Sequence, residues 1–106
     1  MKRPANSRYI APADGNWQAF EDANFVVGDS PATLDVNDTL AMNGRDGYLV
    51  CDGTGSIQVE ISKNGSTYGD AFTVKEGEVI NFQGGDVDTI RITHLGTDSA
   101  YRALLL

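Results

Sequence analysis

The sequence predicts an all-β protein: an antiparallel β-sandwich of about seven or eight strands, jelly-roll-like in outline, behind an extended N-terminal arm. Three observations lead there. From Ser56 to Leu106 apolar and polar residues alternate with a period of two, as in Ile57-Gln-Val-Glu-Ile61 and Thr89-Ile-Arg-Ile-Thr93. Turn pairs such as Asn64-Gly65, Glu76-Gly77 and Gly84-Gly85 interrupt the alternation about every ten residues. No stretch carries the apolar period of a long helix.

The chain divides into an arm, residues 1–15, and a single domain, residues 16–106. The arm holds Pro4, Pro12 and Gly15, and its large apolar side chains beyond Met1 are Tyr9 and Ile10. It is either a frayed end or a segment that docks on a neighbouring subunit through Tyr9 and Ile10, with Lys2, Arg3 and Arg8 as its basic contacts. Between Trp17 and Phe25, Asn16 could cap a helical turn. Glu21 and Asp22 would then oppose the helix dipole, so extended or irregular structure is expected. Trp17 is expected as a core or interface anchor, with sugar stacking as the other option.

Phe25-Val-Val27 reads as a short strand, Gly28-Asp-Ser-Pro31 as a turn and Thr33-Leu-Asp-Val36 as a strand. Asn37-Asp38 breaks that strand, and Leu40 and Met42 form a brief third. Asn43-Gly44 and Asp46-Gly47 mark turns that favour positive φ. Tyr48-Leu-Val-Cys51 is an unbroken apolar run, expected as a central strand covered on both faces, with Cys51 an inert buried thiol. After the Asp52–Gly55 turn, Ile57, Val59 and Ile61 form an inward set, and Phe72 and Val74 face the core. Ile80 and Phe82 alternate with Val79 and Asn81, Ile90 and Ile92 with Arg91 and Thr93, and Tyr101, Ala103 and Leu105 share one face opposite Arg102, Leu104 and Leu106.

Composition narrows the function classes. With 106 residues and 41% hydrophobic content the chain can bury one ordinary core. No apolar run approaches the roughly 20 residues of a membrane helix. The N-terminus lacks the apolar stretch of a secretory signal, and a lone cysteine excludes an internal disulfide framework, so synthesis and folding in a cytoplasm are expected. Net charge is −7; beyond Arg8 the chain carries five basic and fifteen acidic residues, a balance of −10. Such a body repels phosphate backbones and anionic membranes, so neither nucleic acid nor membrane is an expected partner.

No catalytic, metal or cofactor site is expected. His94 is the single histidine, and nothing in the sequence pairs it with a nucleophile. Cys51 with His94 falls short of the roughly four ligands of structural zinc. Asp35-Val-Asn-Asp38 and Asp86-Val-Asp88 do not fit a calcium loop, and turns favour Asp for their own hydrogen bonding. Glycines mark turns, without the Gly-Lys-Ser/Thr of a phosphate loop.

Three segments carry a family resemblance: Ile61-Ser-Lys-Asn-Gly-Ser-Thr-Tyr-Gly69, Val74-Lys-Glu-Gly-Glu-Val-Ile-Asn-Phe82 and Thr89-Ile-Arg-Ile-Thr-His-Leu-Gly-Thr-Asp-Ser-Ala-Tyr-Arg102. Covering about half the chain, they resemble small virion structural proteins of tailed bacteriophages, including head decoration proteins and tail-associated β-sandwich modules. The resemblance implies a non-enzymatic decoration or cement protein, made in a host cytoplasm and held in the virion. Its partner would be the major capsid protein or another virion protein, bound as a homo-oligomer whose multiplicity adds avidity. The alternative is a carbohydrate- or receptor-binding module of a tail or fibre, with Trp17 and Tyr68 stacking on sugar rings. A small hydrolase is a third reading.

Overall fold

The structure, a computed structural model, describes residues 17–106. The arm and its contact candidates Lys2, Arg3, Arg8, Tyr9 and Ile10 lie outside the described residues.

Eight strands form two four-stranded antiparallel sheets. In chain order they are β1 (Gln18–Phe25), β2 (Ala32–Asp35), β3 (Gly47–Cys51), β4 (Ile57–Ser62), β5 (Phe72–Val74), β6 (Val79–Phe82), β7 (Thr89–His94) and β8 (Ser99–Leu105). One sheet runs β1-β8-β3-β6 and the other β2-β7-β4-β5. The pairs nest: β1 with β8, β2 with β7, β3 with β6 and β4 with β5. This order is that of a jelly roll, a long hairpin rolled so that its successive pairs alternate between two sheets.

The two inner faces meet in one core. Ile57, Val59, Ile90, Ile92, Tyr101, Ala103 and Leu105 are buried, as their alternation requires, and the polar residues between them face outward. β3 lies inside its sheet between β8 and β6, as expected for a central strand, and Leu49 and Cys51 are buried in the core. On the outer face Val50 is buried, while Tyr48 is only half-buried and the neighbouring Val79 is exposed, so that face is covered only in part. Phe72, Ile80 and Phe82 are half-buried against the core, because β5 and β6 lie at sheet edges.

The first third of the chain departs from the sequence reading at three places. Residues 18–25 form the longest strand, and the expected strand at Phe25–Val27 is only its end: Phe25 closes β1, and Val27–Asp29 make a single 3₁₀ turn. The brief strand expected at Leu40 and Met42 is absent; Val36–Leu40 form one α-helical turn, α1. Val36 and Leu40, four apart, share a helical face and are both buried. Thr39 Oγ1 donates back to the carbonyls of Asp35 and Val36, each at 3.1 Å, and Ala41 at φ 62° ends the turn. The third concerns Trp17: at 58% exposed it is no core anchor, which leaves the interface role of its two expected ones.

Gly47 opens β3 at φ 136°, and a Cβ there would run into the Leu104 carbonyl of the paired strand. Only glycine allows β8 to approach so closely.

Candidate functional site

The strand order sets which connections share an end of the sandwich. The β2–β3, β4–β5 and β6–β7 connections meet at the end where β1 begins and β8 finishes; the remaining connections meet at the opposite end.

At the first end, Asn43 ties the three connections together. Its Nδ2 donates to the Lys63 carbonyl at 3.0 Å and to Asp86 Oδ1 at 2.6 Å, while its Oδ1 accepts from Asn37 Nδ2 at 2.7 Å. Gly44 pairs with Val87, and the Asp88 amide donates to the Ser62 carbonyl at 2.8 Å. The β4–β5 turn is self-braced: Asn64 Oδ1 accepts from the Ser66 and Thr67 amides, each at 2.8 Å, and Ser62 Oγ accepts from Gly65 N at 2.8 Å. These bonds keep the Asp and Asn side chains in structural work, as turn chemistry anticipates.

Between the turn and Asp86 lies an open cleft of about 480 Å³, lined among others by Ile61, Lys63, Asn64, Thr67, Tyr68 and Asp86. One wall is held from outside the cleft. Arg91, on the outer face of β7, sits 4.0 Å from the centroid of the Tyr68 ring. Its guanidinium makes two parallel bonds to Glu60 on β4, Nε to Oε1 at 3.1 Å and Nη2 to Oε2 at 3.0 Å. Glu60 and Arg91 are direct cross-strand neighbours. The paired hydrogen bonds hold the Glu60 carboxyl below its ordinary range and push the Arg91 guanidinium still higher.

The side chains that the sequence offered for reactive chemistry are spent on holding turns at the opposite end. His94 Nδ1 accepts from the Gly96 amide at 3.0 Å, which leaves Nε2 to carry the proton toward Asp98 Oδ1 at 2.9 Å. Cys51 Sγ lies 3.3 Å from the Gly55 carbonyl and 3.3 Å from Ser99 Oγ, with no exposed surface. No hydrogen bond among the described residues joins Cys51 to His94. Among the described residues no three His, Cys, Asp or Glu side chains gather as a metal site would require.

Within the described residues, β1, β6, β2 and β5 each pair on one side only. β1 carries Glu21 and Asp22, while β5 (Phe-Thr-Val) and β6 (Val-Ile-Asn-Phe) carry no charge. Val79 on β6 is 49% exposed on the outer face, beside Val50. Trp17 and Tyr68 do not form one aromatic platform, since Trp17 does not line the cleft. Sequence reading weighed Asp86 only as a calcium ligand and Asn43 only as a turn residue, and gave Arg91 no role; their partners stand 43, 20 and 31 residues away and are brought near only by the fold.

No protein-family model and no curated protein matches the sequence. Among solved structures, the fold is similar to that of a protein of Bacillus endospore appendages, which form a novel family of disulfide-linked pili. The two superpose with a TM-score of 0.56 over 93% of this chain and 94% of that chain, at 19% sequence identity. That neighbour is a structural appendage protein, so the comparison lends nothing to the resemblance to phage decoration proteins; at this identity the likeness is one of fold.

Proposed function

We propose that the protein is a non-enzymatic structural subunit that assembles with copies of itself. The observation that carries this reading is the pair of uncharged edge strands, β5 and β6, each with one side unpaired among the described residues, with Val79 exposed on β6. Natural sheets blunt such edges with charges, prolines, bulges or shortness; β5 and β6, of three and four residues, are short but carry no charge or proline, which leaves them able to pair with another strand. β1 at the other edge of the β6 sheet is acidic, so two β6 edges meet with less repulsion than two β1 edges would. The fold likeness to an appendage protein supports the same reading.

The arm adds a second contact. Lys2, Arg3 and Arg8 suit an acidic neighbouring body, and Tyr9 and Ile10 supply apolar surface to desolvate it. A capsid surface, with the major capsid protein as partner and the virion as location, is the finer form that the sequence resemblance suggests.

The disulfide linkage of the appendage neighbour does not carry over. The single cysteine, Cys51, is buried in the core, so copies of the folded chain would be held by non-covalent contacts. Sedimentation of the full chain across a concentration series, with and without reductant, tests the reading. The expected result is a mass that rises with concentration and ignores reductant; a monomer at every concentration overturns it.

A further inference from the structure

We propose that the cleft beside Ile61 is a binding site for an uncharged saccharide. Two of its polar lining residues, Asn64 and Asp86, are fixed in advance by hydrogen bonds of one side-chain atom each. Asn64 Oδ1 is occupied by the Ser66 and Thr67 amides, which orients the side chain and leaves its Nδ2 as a donor. Asp86 Oδ1 is occupied by Asn43, which leaves Oδ2 as an acceptor. Lys63 and Thr67, which carry an ammonium and a hydroxyl, line the same space. Donors and an acceptor thus stand around one cleft, the arrangement that sugar hydroxyls satisfy because each both donates and accepts.

The charge of the lining selects the ligand. Lys63 and Asp86 cancel, so an anion meets Asp86 and a cation meets Lys63, while a neutral polyol uses both. Ile61 and Tyr68 supply the apolar surface that the C–H face of a pyranose needs. Arg91 and Glu60 hold the Tyr68 ring in place, so binding does not have to order it. The 480 Å³ volume lies within the usual range of ligand clefts and suits roughly one or two sugar rings.

The test is saturation-transfer difference NMR on the full chain, which reads the ligand and works for an assembly of any size. The probes are glucose, galactose, N-acetylglucosamine, cellobiose and chitobiose, with glucuronate and a neutral tripeptide as controls. At least one neutral sugar is expected to bind saturably, and Tyr68→Ala is expected to weaken it by about tenfold or more. Asp86→Asn and Lys63→Met, which keep side-chain shape, should each weaken it while the melting temperature stays unchanged. The proposal is overturned if no sugar binds at about 20 mM, if the tripeptide or glucuronate binds as well as the best sugar, or if folded Asp86→Asn and Lys63→Met bind like the parent.

Discussion

The rings of Phe25 and Tyr101 meet edge to face, with centroids 5.4 Å apart and planes at 82°. Phe25 is the last residue of β1 and Tyr101 the third of β8, so the contact fastens the outermost strand of one sheet to its neighbour at the β1–β2 corner. Phe25 is fully buried, and its ring also lies 6.0 Å from that of His94 on the other sheet. Phe25→Ala is therefore expected to cost about 3–5 kcal/mol, read as the shift in urea unfolding free energy.

Tyr101 gives stability a pH dependence of known sign. Burial, reinforced by Asp22 and Asp29, raises its phenol above the ordinary value of 10.0. A folded-state pKa above the unfolded one means that the contribution is complete below about pH 10 and is lost as pH rises through the folded value. Unfolding free energy should fall on going from pH 9 to pH 11, by less in Tyr101→Phe than in the parent. Equal slopes in the two proteins would show that Tyr101 is not the group responsible.

Glu60 acts with the opposite sign. Its folded pKa is lowered, chiefly by the hydrogen bonds from Arg91, so its contribution is present above the ordinary carboxylate range and disappears as pH falls through the folded value. Both partners are partly exposed, so the effect on global stability is small. The sensitive readout is local: Arg91→Lys, which cannot reproduce the two parallel bonds, should speed amide exchange around Tyr68 while exchange in β8 is unchanged.

Val59 tests the inside face of β4. It is buried opposite Phe72 on β5 and Ile92 on β7, and Val59→Asp would place an unpaired carboxylate in the core at a cost of several kcal/mol. A variant that melts like the parent would mean that the register of β4 is wrong.

Assembly separates into edge and arm. Val79→Lys puts a charge on the outer face of the β6 edge and should lower oligomer mass without lowering the melting temperature, because Val79 is already half exposed. Deleting residues 1–14 should likewise leave the sandwich folded and weaken assembly. Changing only Lys2, Arg3 and Arg8 to Ser should weaken it less, and mainly at low salt. Unfolding on deletion would make the arm part of the core, and an unchanged oligomer mass would make it a loose end.

From residue 47 onward the strands were legible in the sequence, because the period-two pattern of residues such as Ile57, Val59, Ile90, Ile92, Tyr101 and Leu105 is itself the burial pattern of a half-covered strand. The buried state of Cys51 followed from the same logic, since an apolar run with no polar alternate needs cover on both faces. Around α1 that logic failed. Leu40-Ala-Met42 alternates like a strand, yet the spacing from Val36 to Leu40 suits a helical turn, and burying both residues together decided the conformation. Sequence also could not say which strands are neighbours. The nesting of β1 with β8 and β4 with β7, and with it the Glu60–Arg91–Tyr68 clamp and the cleft beside Asp86, depends on contacts between residues far apart in the chain. Alternation is a local property that one strand can show alone, whereas strand order is a choice among packings that only the assembled core resolves.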